Sequence, residues 1–181
     1  TPILIRGLQR LEYRGYDSAG VAAIGPDGKI IRSRQVGKVQ NLVDALEQSP
    51  VIGGTGIAHT RWATHGKVTV ENAHPHLSTS SDDGQNVSLV HNGIIENHVA
   101  LRQELKGLGY AFTSETDSEV IVHLIHHYLQ SDQDLLDAVR QALRRLDGAY
   151  ALAVIAAGEH KRVIAARQGC PLIVGKGIGE H

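Results

Sequence analysis

The sequence predicts an α+β fold in which helices cover the outer faces of layered antiparallel sheets. Helix-like and strand-like segments follow one another irregularly: a helix, strands, a helix, strands, several helices and a closing group of strands. Hairpin-like strand pairs near both ends of the chain favour antiparallel pairing over a regular βαβ repeat. The 181 residues, of which 41% are hydrophobic, suffice for one domain with a sizeable core.

The first third of the chain predicts a helix, a hairpin, a second helix and a further strand. Leucines recur at helical spacing in the first segment, and Gly15 can end that helix. A Pro-Asp-Gly-Lys turn at 26–29 joins two strand-like runs and therefore predicts a β-hairpin. Two successive glycines separate the second helix from the next strand. The segments are the helices 2–11 and 39–46 and the strands 21–24, 30–34 and 56–59.

The remainder predicts a strand, three helices and three closing strands. A polar stretch before the strand predicts a loop. Gly109 can end the first of these helices, and Asp134 can begin the third. The motif Thr116-Asp117-Ser118-Glu119 fits a capping box at the start of the second. The segments are the loop 78–85, the strand 87–90, the helices 101–108, 116–128 and 134–146, and the strands 149–156, 163–166 and 172–175.

Composition argues against several classes of partner. The formal net charge is −1, so no broad basic field exists to bind nucleic acid or an anionic membrane. No apolar run approaches the length of a membrane span. Cys170 is the only cysteine and cannot form an internal disulfide, which favours a cytoplasmic protein. No base lies beside Cys170 in the sequence, so we interpret it as a packed thiol.

Eleven histidines raise the question of a metal site. His123 and His127 can share a helix face, and His74 and His76 form a second group. However, the chain contains neither a His-Glu-x-x-His motif nor paired cysteines, and the pattern places no acidic third ligand. We therefore expect neither a metal nor a cofactor.

The densest group of functional side chains is the segment 59–66 (HTRWATHG), which follows a strand-like run. Arg61 can bind a carboxylate through two parallel hydrogen bonds. Thr64 and His65 can complete a polar pocket, and Trp62 can shield it from water. Because binding groups concentrate where strands end, the segment predicts a site for a small carboxylate-bearing molecule. The alternative is an ordinary strand exit with a packed tryptophan.

Three other groups allow two interpretations each. Asn92-Gly93 is a typical two-residue hairpin turn, but a side-chain amide and a glycine N–H at a strand end can also form an oxyanion hole. Asp117 can cap a helix or, if Thr116 does so, can bind an ammonium group. The segment 12–20 is either a helix end with a surface ion pair or a rigid wall beside the pocket.

Four motifs in a fixed order resemble the N-terminal glutaminase domain of the glucosamine-6-phosphate synthase family, the glutamine–fructose-6-phosphate aminotransferases (isomerizing). They are 11–20 (LEYRGYDSAG), 59–66 (HTRWATHG), 91–97 (HNGIIEN) and 114–117 (SETD). The resemblance covers nearly the whole chain. It implies an N-terminal-nucleophile hydrolase fold, a four-layer αββα sandwich of two antiparallel sheets. Related amidotransferases, such as the one acting on phosphoribosyl pyrophosphate, share a looser form of these motifs.

The resemblance also implies a reaction. A thiol at the mature N-terminus would attack the side-chain amide of glutamine, release ammonia and leave a thioester that water hydrolyses to glutamate. The ammonia would pass to a C-terminal isomerase domain of the same protein, which converts fructose 6-phosphate to glucosamine 6-phosphate. We expect glutamine and that isomerase domain as partners, and a homo-oligomer in the full protein.

The resemblance assigns substrate-binding roles to one group of matching residues. Arg61 would bind the α-carboxylate of glutamine, and Asp117 would bind its α-ammonium group. Trp62, Thr64 and His65 would shape the pocket around them.

A second group would serve catalysis and domain contact. Asn92, through its side chain, and Gly93, through its backbone N–H, would form the oxyanion hole. Arg14 would lie beside the nucleophile, and His74 would lie at the contact with the isomerase domain.

The N-terminal cysteine of the family has no counterpart, because the sequence begins with Thr1, which aligns inside the family's first helix. We expect residues 1–181 to be a glutaminase (type 2 glutamine amidotransferase) domain truncated at both ends, without the isomerase domain. The chain alone is then expected not to hydrolyse glutamine. A non-catalytic glutamine-binding or regulatory module, and the glutaminase domain of another amidotransferase of this fold, are the alternatives.

Overall fold

The computed structural model describes residues 1–62, 67–78, 86–131, 134–175 and 177. Over these residues no helix combines the length and the apolar composition that crossing a bilayer requires. The helices are α1 (Pro2–Leu11), α2 (Val39–Gln48), α3 (His98–Gly107), α4 (Ser118–Leu129) and α5 (Leu135–Leu143). The strands are β1 (Ser18–Ile24), β2 (Ile30–Val36), β3 (Thr55–Arg61), β4 (His76–Leu77), β5 (Val87–Ile95), β6 (Gly148–Ala156) and β7 (Ile164–Gln168).

The strands form two antiparallel sheets, with the orders β2-β1-β3 and β4-β5-β6-β7. The predicted hairpin joins β1 to β2, and Gly25 N–H donates to the Lys29 carbonyl across the turn at 2.8 Å. All seven residues of β1 are buried, because this central strand is covered on both faces; its small apolar sequence (SAGVAAI) suits that position. β5 and β6 pair over their whole lengths and form the centre of the second sheet.

The two sheets pack face to face, with helices on both outer faces. Apolar side chains meet between the sheets, where Ile24 and Ile57 of the first contact Ile155 of the second. Leu8 of α1 and Leu42 of α2 cover the outer face of the first sheet. The remaining three helices cover the second sheet and enclose the largest apolar cluster. The predicted four-layer αββα arrangement is confirmed.

The prediction of a last strand at 172–175 is wrong. Its side chains suit a strand, yet Ile173 is 90% exposed and Val174 is 84% exposed. A strand needs a hydrogen-bonded neighbour, and no strand pairs with this segment in the described part of the chain. The short strand β4 was not predicted, because two residues give no periodic signal.

Two local expectations near the polar motifs are also wrong. Asn92-Gly93 is not a hairpin turn, because β5 continues through both residues and pairs with β6. The capping box is absent: Asp117 occupies the N-cap position of α4 without a side-chain capping hydrogen bond. Glu119 instead accepts hydrogen bonds from Thr113 and Ser114, which precede the helix. The predicted loop 78–85 lies outside the described residues except for its first position.

Replacing Ile125 with alanine should destabilise the fold strongly. Its side chain is fully buried in the cluster beneath the second sheet, so truncation removes apolar contacts and leaves a cavity. We expect a loss of about 2–5 kcal/mol in the free energy of unfolding, measured by chemical denaturation. Val99→Ala is the matched control, since Val99 is 57% exposed on α3 and should change the value by less than about 0.5 kcal/mol. Equal effects of the two substitutions would contradict this description of the core.

Candidate functional site

A cleft of about 800 Å³ opens where β3 and β5 meet the start of α4. It brings together every described residue that the sequence singled out for the site. Thr64 and His65 lie outside the described residues. The predicted residues that line the cleft are Arg14, Arg61, Trp62, His74, Asn92, Gly93 and Asp117.

Backbone contacts explain why distant parts of the chain converge here. Asp17 N–H donates to the Arg61 carbonyl at 3.1 Å, which joins the segment after α1 to the end of β3. Gly15 lies so close to this strand end that a Cβ atom there would sit 3.0 Å from the Arg61 carbonyl carbon. Of the segment 12–20, Arg14 lines the cleft, which fits the interpretation of that segment as a wall beside the pocket.

Arg61 supplies the positive charge of the cleft. Its side chain is only 8% exposed, and Nη1 donates to the Lys67 carbonyl at 3.4 Å. Burial lowers the pKa of the guanidinium, whereas the carboxylates of Asp17 and Asp117 oppose that shift. Arginine stays protonated in proteins, so this buried cation favours an anionic partner within the cleft.

Asp117 supplies a negative charge that the backbone holds in place. Its Oδ2 accepts a hydrogen bond from Ile95 N–H at 2.8 Å, at the end of β5. Its Oδ1 lies 3.4 Å from Ser118 Oγ and 3.9 Å from His91 Nδ1.

The expectation that Thr116 caps the helix is wrong, because its hydroxyl contacts Ser114 Oγ and His76 Nε2. The Asp117 carboxylate nevertheless does not cap the helix, because the end of β5 holds it in place.

Ser118 links two histidines beneath the cleft. Its Oγ lies 2.9 Å from His74 Nε2 and 2.9 Å from His91 Nδ1. A Ser-His-Asp triad needs a histidine that contacts serine and aspartate through opposite ring nitrogens. His91 approaches both Ser118 and Asp117 through the same nitrogen, and Ser118 is only 2% exposed. These groups therefore form a structural network and not a nucleophilic triad.

The loop that carries Asp117 is held by a second set of buried polar contacts. The Glu119 carboxylate accepts four hydrogen bonds, from the N–H groups and hydroxyls of Thr113 and Ser114, at 2.7–2.9 Å. Burial tends to raise the pKa of this carboxyl, but these hydrogen bonds and His123 hold it well below its usual range. Arg102 donates to the carbonyls of Ser114 and Thr116 from the other side.

Asn92 and Gly93 lie in mid-strand on the wall opposite α1. Asn92 Oδ1 accepts a hydrogen bond from His59 Nε2 at 2.8 Å, while the Asn92 side chain is exposed to the cleft. Gly93 has φ of +138°, and an added Cβ would lie 2.0 Å from the Ala149 carbonyl oxygen. Only glycine fits this backbone position, because the conformation and the space both exclude a side chain.

Trp62 stands at the edge of the cleft. It is 56% exposed, and its ring centroid lies 5.5 Å from that of Tyr16. Trp62 therefore contacts Tyr16 while more than half of its surface stays exposed. Arg14 is also exposed and follows α1 on a 3₁₀ turn at Glu12–Arg14.

His123 and His126, on α4 away from the cleft, are packing residues. His123 is fully buried against the rings of Tyr110 and Phe112, and its Nε2 lies 3.7 Å from Glu119. His126 Nδ1 lies 2.8 Å from the Tyr110 hydroxyl. Throughout the described ranges, no three ligating side chains of His, Cys, Asp or Glu are grouped closely enough to hold a metal ion.

Several residues of the site received no role there from sequence reasoning. Their roles depend on partners far away in the chain, so no local spacing identifies them. They are His59, Asn72, His91, Arg102, Ser118 and Glu119.

Comparisons with known proteins indicate the family. Residues 59–177 match the family described as the glutamine amidotransferase domain. The chain is 60% identical, over its whole length, to a glutamine–fructose-6-phosphate aminotransferase (isomerizing) of Pseudomonas aeruginosa, and spans 29% of that protein. It is 55% identical over 179 residues, 99% of its length, to the protein of the same name from Shewanella oneidensis and spans 28% of it. The chain thus covers less than a third of these relatives.

Solved structures show the same fold. The glutamine phosphoribosylpyrophosphate amidotransferase of B. subtilis, complexed with ADP and GMP, superposes with a TM-score of 0.76 at 32% identity, covering 92% of this chain and 34% of that one. A structure described as the allosteric regulatory enzyme of purine biosynthesis gives a TM-score of 0.73 at 33% identity, over 86% of this chain and 32% of that one. The predicted N-terminal-nucleophile hydrolase type of sandwich is confirmed.

Gly93→Ala should destabilise the protein more than the same change at an open glycine with positive φ. The Cβ at Gly93 collides with the backbone of β6, whereas Gly109, with φ of +91°, has nothing within 4 Å of its added Cβ. Gly109→Ala should cost only the conformational strain, about 1–3 kcal/mol, and Gly93→Ala should exceed it by at least about 2 kcal/mol. Thermal or chemical unfolding measures both. Equal losses would show that β5 and β6 do not approach so closely.

Glu119→Gln should remove a pH-dependent part of the stability. Because the folded carboxyl has a depressed pKa, its contribution is present above the usual value of 4.5 and is lost as the pH falls below it. We expect the variant to lose about 1–3 kcal/mol near neutral pH, since the amide places a donor against groups that already donate. The difference in the free energy of unfolding between wild type and variant should become smaller as the pH falls.

Asp137→Asn is the control for that experiment. Asp137 is 60% exposed and pairs with Arg140 at the surface, so its replacement should change stability by less than about 0.5 kcal/mol. Urea denaturation at a series of pH values measures all three proteins. A gap between wild type and Glu119→Gln that stays constant or widens in acid would contradict the prediction.

Proposed function

Since the chain belongs to the family of glutamine amidotransferase domains, we propose that its cleft binds glutamine and serves the release of ammonia from the glutamine side chain. The observation that carries the proposal is the placement of Arg61 and Asp117 in one cleft. Opposite charges at one end of a pocket are complementary to the zwitterionic end of an amino acid.

In this proposal, Arg61 binds the α-carboxylate of glutamine and Asp117 binds the α-ammonium group. The planar fork of the guanidinium suits two parallel hydrogen bonds to a carboxylate. Asp117 is already oriented by Ile95 N–H, so little conformational entropy is lost when the ammonium binds. Trp62 covers the mouth of the cleft, and Thr64 and His65 would complete its polar lining.

The other end of glutamine would then lie against β5. The side-chain amide of Asn92 and the backbone N–H of Gly93 would donate to the oxygen on which negative charge develops. Each such donor contributes about 2.7–4 kcal/mol to stabilisation of the transition state. The close packing of Gly93 against β6 supports this role, because a donor that cannot move stays aimed at the reacting oxygen.

The nucleophile implied by the resemblance is a thiol at the mature N-terminus. Its attack on the amide carbon would expel ammonia and form a thioester, and water would then release glutamate. Arg14 lines the cleft on the side of α1 and would lie beside that thiol. Among the described residues, no cysteine side chain lines the cleft.

For the protein as a whole, we propose the activity named for its relatives: transfer of the ammonia to fructose 6-phosphate by a C-terminal isomerase domain. The chain would be the glutaminase domain of that protein, with His74 near the isomerase domain, in a cytoplasmic homo-oligomer. The phosphoribosylpyrophosphate enzyme is the less similar candidate, at 32% identity. A binding module without turnover would use the same cleft, and ammonia release by the full-length protein distinguishes it from a glutaminase.

Arg61→Ala and Asp117→Asn should each weaken glutamine binding by about 10- to 100-fold, because each removes a charge-assisted hydrogen bond. Isothermal titration of glutamine into the 181-residue chain measures the affinity. Arg140→Ala is the control, since Arg140 lies on the exposed face of α5 and pairs only with Asp137 in the described structure. Unchanged binding in both site variants would refute the proposed orientation of glutamine.

A further inference from the structure

His59 lies at the floor of the cleft, and none of the roles proposed above includes it. It is on β3, two residues before Arg61, and its side chain therefore points to the same face of the sheet. Its Nε2 lies 2.8 Å from Asn92 Oδ1, and this hydrogen bond joins the two sheets where β5 lines the cleft. Its ring also packs against that of His74, with the ring centroids 4.4 Å apart and the planes tilted by 45°.

The chemistry of an amide makes this hydrogen bond informative. One end of the Asn92 side chain only accepts hydrogen bonds, and the other end only donates them. Since Asn92 Oδ1 faces the imidazole, His59 Nε2 carries the proton and donates it. Burial lowers the pKa of His59 to about 4, so the ring is neutral near pH 7. No other hydrogen bond of the Asn92 amide occurs within the described ranges, and its NH₂ group is left to face the cleft.

We propose that His59 is a positioning residue, which holds the Asn92 side chain so that its NH₂ group donates to the reacting amide oxygen of the substrate. The proposal rests on the proposed function of the cleft. It adds a residue that does not touch the substrate and that acts only through Asn92.

The alternative arrangement of the pair shows why the proton position matters. If His59 carried its proton on Nδ1, its Nε2 would accept, and the Asn92 amide would rotate to donate to it. The Asn92 carbonyl oxygen would then face the developing negative charge and repel it. The donor is therefore present in one arrangement and replaced by an acceptor in the other. The effect falls on the transition state, so the rate of turnover should change more than substrate binding.

The surroundings of His59 favour one orientation of the ring. The His74 ring packs against one side and is itself fixed by Ser118 Oγ at 2.9 Å. Gly20 faces His59 across the β1–β3 pair, and an added Cβ there would lie 2.2 Å from the His74 carbonyl oxygen. The absence of a side chain at Gly20 thus lets His74 approach closely enough to contact the His59 ring.

Four variants of the full-length protein test the proposal: His59→Phe, His59→Gln, Asn92→Ala and the double variant His59→Phe/Asn92→Ala. Phenylalanine keeps a ring against His74 but has no N–H, whereas glutamine keeps a donor. Removal of an oxyanion-hole donor lowers kcat by about 100- to 1,000-fold, and we expect His59→Phe to lower kcat by about 10-fold or more. Its KM for glutamine should stay within about threefold, and His59→Gln should restore much of the lost kcat.

The double variant separates positioning from a general structural role. If His59 acts through Asn92, His59→Phe should change kcat by less than about twofold once Asn92 is alanine. An equal loss of kcat in both backgrounds, or a loss confined to KM, would overturn the proposal. If the wild-type protein released no ammonia from glutamine, both the proposed function of the cleft and the positioning role of His59 would be overturned. Normal turnover in both wild type and His59→Phe would overturn the positioning role alone.

Nitrogen NMR of the 181-residue chain provides a test that does not depend on a variant that folds. The two neutral tautomers of histidine have distinct ring ¹⁵N shifts. We expect His59 to carry its proton on Nε2 near pH 7. A proton on Nδ1 would overturn the proposal.

Discussion

A buried arginine and a fixed aspartate of opposite charge, facing one cleft, are the constraint that organises this part of the molecule. Burial lowers the pKa of the Arg61 guanidinium, and the carboxylates of Asp17 and Asp117 oppose that shift. Arg61 and Asp117 make the cleft complementary to a small molecule that carries one negative and one positive charge. A free amino acid has these two charges on adjacent groups, and for this reason we propose that the cleft binds glutamine.

The rest of the structure keeps those charges in place. Asp117 is held by a backbone N–H of the second sheet, and the loop before it is fixed by Glu119 and Arg102. Asn72 accepts a hydrogen bond from Glu115 N–H at 2.9 Å and so ties the same loop to the segment after β3. A site supported on strands and on a loop held by several hydrogen bonds is preorganised, which favours both binding and stabilisation of a transition state.

The sequence predicted more of the layers than of the contacts. The helices, the hairpin and the α+β layering follow from apolar periodicity and turn residues, which are local signals. The segment 172–175 was assigned as a strand because its residues favour one, but pairing depends on a neighbour that propensity does not specify. Asn92-Gly93 was ambiguous for the same reason, since the dipeptide alone does not reveal that β5 pairs with β6 through it.

The site residues show the same difference between local signals and contacts that depend on distant parts of the chain. Arg61, Asp117 and Asn92 were identified by their chemical type and by resemblance, and the structure places them in one cleft. The groups that orient them were not identified. His59 and Asn92 lie on different sheets, and Ser118 joins histidines from two separate segments. Such contacts exist only after the sheets have packed.

A crystal structure of the chain with bound glutamine tests the central claim most directly. The predicted result is an α-carboxylate on the Arg61 guanidinium, an α-ammonium group beside Asp117, and a side-chain amide oxygen within hydrogen-bonding distance of Asn92 Nδ2 and Gly93 N. Glutamine bound outside the cleft, or bound in it with its α-carboxylate away from Arg61, would contradict the claim.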